Sequence, residues 1–418
     1  MKPEKEQLKD AVTAGHSSGH WMEKWAALTP WLVICYFGVQ LCVRLVIASP
    51  LEVDDAEMVG QIDWALGYPN SHPPLYHWLV RLCYDLFHSW PAATAFPKYA
   101  LLAVAYLLVY HAARRASGSV ITGAVAVAFF FFIPVVCWKT QTKLTHSILG
   151  FTATAALLHA VVCVLLRPGW KAFVWLGIAA TIGLLAKYNF LVVLLSGVIA
   201  ALVVGDVRRL FRTRVALLAV AIAVLLTLPH LIWIRAHPRQ TTENLYRLQV
   251  AGGPLGLHLK ADSIWDGLIS LFVVTATSAG PMFLVCLAGA CIFRGERRAA
   301  ETAEFHTAKT ARQFLGWMVI SEMLIFIVVV LAGGFSQVHE RYLLVLLPPL
   351  PLWLALSWRA NDRRKASAAI LIIAAALAIL ATVGTAVVRT KAKRAERSGV
   401  LSDELAPKRA PAPKPATS

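Results

Sequence analysis

The chain has 418 residues, 58% hydrophobic and 15% charged, with a mean hydropathy of +0.62. Soluble domains carry about 25% charged residues and disordered chains far fewer large aliphatics, so both are excluded and most of the chain belongs in a bilayer. The net charge of +17 fits basic loops beside anionic lipid. No basic run is interleaved with aromatics, which argues against nucleic-acid binding.

Residues 1–30 are polar and read as a cytoplasmic tail. The first apolar run, Trp31–Ala48, is long enough to span and reads as a signal anchor. A crossing needs about 20 mostly apolar residues. The further candidates are Ala92–Ala113, Val120–Trp138, Ser147–Leu166, Ala172–Ala186, Phe190–Val204, Val215–Ile234, Leu268–Phe293, Phe314–Leu331, Leu343–Leu356 and Ala368–Val388. The expected fold is an all-α integral membrane protein of about eleven transmembrane helices. The fifth and sixth candidates meet in a hairpin at Lys187-Tyr188-Asn189. Seven scattered cysteines lack zinc-site spacing and read as small residues packed between helices.

With the N-terminus in the cytoplasm, the cytoplasmic connections hold 17 Lys and Arg against nine on the opposite side. The positive-inside rule supports this orientation. It makes 49–91 the first periplasmic loop and 235–266 a later one, polar and long enough for a lid or a plain solvated loop. One feature resists it. An odd span count exports 389–418, a basic segment that begins Arg389, Lys391, Lys393 and Arg394 and reads as disordered toward its end.

Residues 49–91 carry six acids (Glu52, Asp54, Asp55, Glu57, Asp63, Asp85) and one base, Arg81, a local negative field in a basic chain. Helical spacing over Met58–Leu66 and a stripe of Leu75, Leu79, Leu82 and Leu86 predict short amphipathic helices on the membrane surface. Adjacent carboxylates there can bind a cation or take a proton from a hydroxyl; they can equally cap the helix they precede, with Asp54 or Asp55 as N-cap.

Two segments, Val53-Asp54-Asp55-Ala56-Glu57 and His72-Pro73-Pro74-Leu75-Tyr76, carry a family resemblance. Their order resembles the polyprenyl-phosphate-sugar glycosyltransferases of the GT-C fold, in the branch of protein O-mannosyltransferases and lipid A aminoarabinose transferases. Gly183-Leu184-Leu185-Ala186-Lys187 and Glu340-Arg341-Tyr342-Leu343 with Pro348-Pro349 are similar to later elements of that branch. Lys143-Leu144-Thr145-His146 looks like the subgroup that moves galacturonic acid onto lipopolysaccharide core or lipid A. The family's usual Lys before Pro-Pro-Leu is His72 here, and His146 stands where an Asp is common.

The resemblance implies an inverting transferase, in a domain of residues 31–388, at the periplasmic face of the bacterial inner membrane. A polyprenyl-phosphate sugar would be the donor, lipid A or lipopolysaccharide the acceptor, and membrane lipid the surroundings. Asp54 and Asp55 are the implied catalytic pair. Glu57, His72, Tyr76, Lys143, His146, Lys187, Tyr188, His339, Arg341 and Tyr342 are the candidate binding residues. No cofactor is required, since the lipid phosphate leaves; a divalent cation beside the acids stays open. Independently of the resemblance, Lys143, His146, Lys187, His339 and Arg341 fall on the face expected to be outer, where cations can hold a phosphate. Each alone also reads as a snorkelling helix-end residue. Arg44 and Glu322 lie inside expected spans and read as ion-paired. The rival function is a transporter or flippase of a lipid-linked sugar, which would bring inverted repeats and charges buried in several spans.

Overall fold

In a bilayer each crossing segment must satisfy its own backbone, so long apolar runs become helices. The computed structural model describes residues 21–47, 50–61, 63–68, 72–239, 264–293, 306–333, 337–360 and 362–397. Among them the chain is helical apart from turns and one isolated bridge, Tyr68 with His72. Of the expected tails, residues 1–20 and 398–418 lie outside the described residues, as do Tyr246 and Lys260 in the 235–266 loop and Pro69 to Ser71 of the first loop; 389–397, expected as the start of a basic tail, continue the last helix.

Seven helices are long and apolar enough to cross a membrane. In chain order they are α1 (Thr29–Ile47), α4 (Trp90–Ser117), α6 (Thr145–Leu166), α10 (Ala216–Ala236), α11 (Ile264–Ile292), α12 (His306–Gly333) and α15 (Arg364–Arg397). Between them lie α2 (Val53–Val59), α3 (Leu75–Phe87), α5 (Val120–Phe131), α7 (Trp170–Leu184), α8 (Phe190–Val203), α9 (Gly205–Phe211), α13 (Glu340–Leu343) and α14 (Pro349–Trp358). Three bent pairs raise the count to ten: α5 with 135–142 at 80°, α8 with α9 at 109°, and 340–346 with α14 at 51°. Proline stands at two of these breaks, Pro134 and Pro348, where a missing N–H ends regular bonding. The expected count of eleven is not reached. The remaining candidate, α7, has 15 residues, about 22 Å against a hydrocarbon core of about 30 Å.

Helix α6 is the centre of the bundle: 83% of its apolar window is buried, against 17% for α10. It packs on α4 and α7, and α7 in turn on α10. On α10, Leu217, Leu225 and Ile232 point outward, as lipid-facing residues do. The turn between α7 and α8 is tight. A Cβ on Gly183 would overlap the Phe190 ring, so only glycine admits this approach.

The first loop departs from expectation in one place. Its helix is Val53–Val59, beginning at the acids, and not Met58–Leu66. Residues 63–67 instead form a turn in which Asp63 Oδ1 accepts from Ala65 N–H, with Trp78 Nε1 donating to Ala65 O at 2.8 Å. Helix α3 forms as predicted. It buries Tyr76, His77, Val80 and Cys83, and leaves Leu82 and Leu86 of the leucine stripe exposed.

Helix α15 settles which end of the bundle the basic tail joins. It is tied to α1 by Gln40, which donates to Thr382 Oγ1 at 3.2 Å and accepts from Thr385 Oγ1 at 3.1 Å. One helical turn further, Arg389 reaches Glu52 of the first loop at 3.2 Å. The end of α15 therefore lies on the same side as the first loop.

Candidate active site

Four short segments meet at one end of the bundle: 50–61, 139–147, 185–189 and 339–342. Asp54 sits in the first turn of α2, half-buried, and is not its N-cap; that position is Glu52, whose side chain makes no capping bond. Asp54 Oδ2 instead accepts from Leu144 N–H at 2.7 Å. Leu144 has φ 74°, left-handed backbone that costs a branched residue about 1–2 kcal/mol. The contact holds a strained turn just before α6. Asp54 Oδ1 takes no hydrogen bond among the described residues.

Asp55 points elsewhere. It is 1% exposed, and its Oδ1 lies 3.8 Å from Lys98 Nζ in α4. Lys98 also pairs with Glu52 Oε2 at 3.1 Å, and Arg389 with Glu52 Oε1 at 3.2 Å. Burial pushes the Glu52 carboxyl above its usual range, against the pull of Lys98 and Arg389. Arg44 donates to Pro50 O at 3.3 Å, within the electrostatic reach of Asp55 and Glu52. Glu322, also expected to be ion-paired, differs: it is 3% exposed, and its Oε1 has no hydrogen-bond partner among the described residues. Glu57 lies in α2, with its side chain outside the described set.

The cations converge on the other side of Asp54. Lys187 Nζ donates to Ser147 Oγ at 2.5 Å and to Arg341 O at 2.9 Å. Lys187 and Arg341 both lie over the Tyr342 ring, 5.2 and 5.7 Å from its centroid. Burial, reinforced by Arg341, pulls the Lys187 ammonium down to about 7, opposed by Asp54. Arg341 and Lys143 are exposed, and Asn189 Nδ2 donates to Tyr342 O at 2.9 Å. Lys139 and Glu340 pair at 2.6 Å and pin α13 against the 139–142 segment.

His72 and His146 stack face to face, ring centroids 4.1 Å apart at 2°. His77 and Tyr76 close around His146 at 4.9 and 5.1 Å, and Tyr68 stacks on His77 at 3.7 Å. Burial lowers His77 to about 3, so it is neutral. Among the described residues no three His, Cys, Asp or Glu side chains are grouped to hold a metal ion. Tyr188 turns toward α10, its hydroxyl 3.4 Å from His230 Nε2. His230 Nδ1 meets Leu66 O at 2.6 Å, which fastens the first loop to α10. His339 flanks Tyr342 at 6.2 Å, its pKa lowered by burial.

Sequence reasoning named Glu52 only as one of the first-loop acids and missed Lys98, Ser147 and Arg389 as parts of this region. Lys98 had a usable signal, a lone charge within an apolar run. Ser147 had none, because a serine at a helix start has many ordinary uses.

Residues 71–233 match the dolichyl-phosphate-mannose-protein mannosyltransferase family. That stretch contains His72, Tyr76, Lys143, His146 and Lys187, and leaves out Asp54 and Arg341. ArnT from Cupriavidus metallidurans, in its structure bound to undecaprenyl phosphate, is similar with a TM-score of 0.61 at 14% identity, over 93% of this chain and 82% of that one. The chain has the ArnT fold. Apo ArnT gives a TM-score of 0.57 over 90% and 80% of the two chains. Two curated proteins of Rhizobium johnstonii are similar in sequence, both named lipopolysaccharide core galacturonosyltransferases. RgtB is 28% identical over 79% of this chain, and RgtA is 28% identical over 77%. The chain spans 65% and 62% of their lengths. The GT-C resemblance read from the sequence is borne out by these matches.

Proposed function

We propose that the protein is an inverting glycosyltransferase of the bacterial inner membrane. It would move a uronic acid such as galacturonate from a polyprenyl-phosphate donor to lipid A or lipopolysaccharide core at the periplasmic face. The observation that carries this reading is the gathering of a half-buried carboxylate, Asp54, with Lys143, Lys187 and Arg341 in segments that meet at one end of an ArnT fold. The names of RgtA and RgtB and the undecaprenyl phosphate bound in ArnT support the choice of sugar, acceptor and lipid.

In this mechanism an acceptor hydroxyl attacks the anomeric carbon from the face opposite the phosphate. The new C–O bond forms as the bond to the phosphate oxygen breaks, and Asp54 takes the hydroxyl proton. Lys187, Lys143 and Arg341 offset the charge on the departing lipid phosphate. The stacked His72 and His146 shape the wall beside Tyr76. Asp55 serves through its pairing with Lys98 and leaves the chemistry to Asp54. The cations and acids of the site gather at one end of the bundle, with Glu322 a lone buried acid within a span among the described residues, and this favours transfer over transport.

Mass spectrometry of envelope glycolipids with and without the gene tests the function. A uronate on lipid A or core should disappear with the gene, and an unchanged glycolipid profile would refute the proposal. The orientation has its own test in a cysteine-free background. Trp64→Cys and Lys391→Cys should both label with an impermeant thiol reagent in spheroplasts. Protection of both would invert the topology.

Arg341→Gln should weaken use of a uronate donor by about tenfold, the worth of one charge-assisted hydrogen bond. A neutral hexose donor should lose less. Equal losses for the two donors would assign Arg341 to the phosphate.

A further inference from the structure

We infer that Arg389, at the far end of the last helix, is a positioning residue that fixes the two segments between which Asp54 is held. The inference rests on the reading of Asp54 given above and extends it to a part of the chain that no motif touches.

One guanidinium nitrogen, Arg389 Nη2, makes all the contacts. It lies 2.8 Å from Gln141 O, 3.2 Å from Glu52 Oε1 and 3.3 Å from Tyr99 Oη. Tyr99 Oη itself donates to Gln141 O at 3.3 Å. Glu52 is the residue before α2, two positions from Asp54. Gln141 lies three positions before Leu144, whose N–H meets Asp54 Oδ2. Arg389 therefore bridges the segment that carries the carboxylate to the segment that carries its hydrogen-bond donor. Lys98 holds the first of these from a second direction, through Glu52 and Asp55.

The network is a poor choice for stability alone. Arg389 is 3% exposed, and among the described residues its buried Nε and Nη1 have no hydrogen-bond partner. Buried ion pairs often lose to apolar packing of the same volume, and unmatched donors add to the cost. What the arrangement provides is placement: one guanidinium nitrogen reaching Glu52 on the first segment and Gln141 O on the second. It also gives the basic start of the tail a partner on the first-loop side. The strained Leu144 is the element most exposed to slack, since its backbone relaxes once the carboxylate moves.

Hydrogen–deuterium exchange of the full-length protein in micelles tests the bridge without relying on activity. Arg389→Gln should speed exchange in peptides covering 50–58 and 139–146 while leaving α8 unchanged. Turnover should fall by about tenfold, within the hundredfold that a 1 Å misplacement can cost, with affinity for undecaprenyl phosphate retained. Arg389→Lys, which keeps the charge as a point charge on a flexible stem, should fall between the native protein and Arg389→Gln in both readouts. It carries the test by itself if the glutamine variant does not fold. Unchanged exchange in both peptides, or a uniform rise across all helices, would overturn the inference. Faster local exchange with transfer intact in both Arg389→Gln and Asp54→Asn would uphold the bridge and refute the role of Asp54.

Discussion

Asp54→Asn is expected to lower turnover by at least about a hundredfold, within the 10²- to 10⁴-fold that a general base contributes. Folding and affinity for undecaprenyl phosphate should stay near those of the native protein. The substitution is chosen because asparagine keeps a carbonyl oxygen that can accept from Leu144 N–H. The left-handed turn before α6 therefore stays closed, and only the charge and the proton acceptor are lost. Asp54→Ala removes the acceptor as well, and should lower thermal stability where Asp54→Asn does not. That contrast separates the proposed chemistry of Asp54 from its architectural contact with Leu144, since Asp54 caps neither end of α2. Single-turnover transfer by purified protein reads the effect. An acceptor phosphate needs no deprotonation, and a small loss would point to one. An Asp54→Asn variant with native turnover would move the proton acceptor to another group.

The sequence carried the bundle plainly and the buried electrostatics hardly at all. Hydrophobic runs are local signals, so each expected span falls on a helix or a bent pair. The bends at Pro134 and Pro348 were legible only as prolines; how a chain turns at such a break depends on what it packs against. The first loop shows the same division. Alternation in the Leu75–Leu86 stripe announced a helix, but not that Leu82 and Leu86 would face outward while Tyr76, His77 and Val80 turned in. The spacing at Met58–Leu66 suggested a helix that Asp63 and Ala65 replace with a turn. Asp54 and Asp55 are neighbours in sequence, and no local rule predicts that one stays accessible while the other is buried on Lys98. Partners such as Glu52 and Arg389 are separated by more than three hundred residues, and only tertiary packing brings them together.

Lys187 should give the protein a pH-dependent grip on the proposed lipid phosphate. Its ammonium spends two of three N–H groups on Ser147 Oγ and Arg341 O, which leaves one for a ligand. Burial and the adjacent Arg341 bring its pKa from 10.5 down to about 7. Below that value the side chain is charged, and above it neutral. Undecaprenyl phosphate should therefore bind best below about pH 7, with affinity falling as pH rises through it. Lys187→Met should bind about 10- to 100-fold more weakly at pH 6, since a hydrogen bond to a charged group contributes about 1.5–3 kcal/mol. Lys187→Arg stays charged throughout and should flatten the profile, although its fork cannot reproduce both native contacts. Stability runs the opposite way. Between about 7 and 10.5 the unfolded chain binds more protons at this residue than the folded one, so stability rises with pH across that interval. Affinity and stability that changed in the same direction across that window would show that Lys187 is not the group being titrated. An unaltered pH profile in Lys187→Arg would assign the dependence to the phosphate itself.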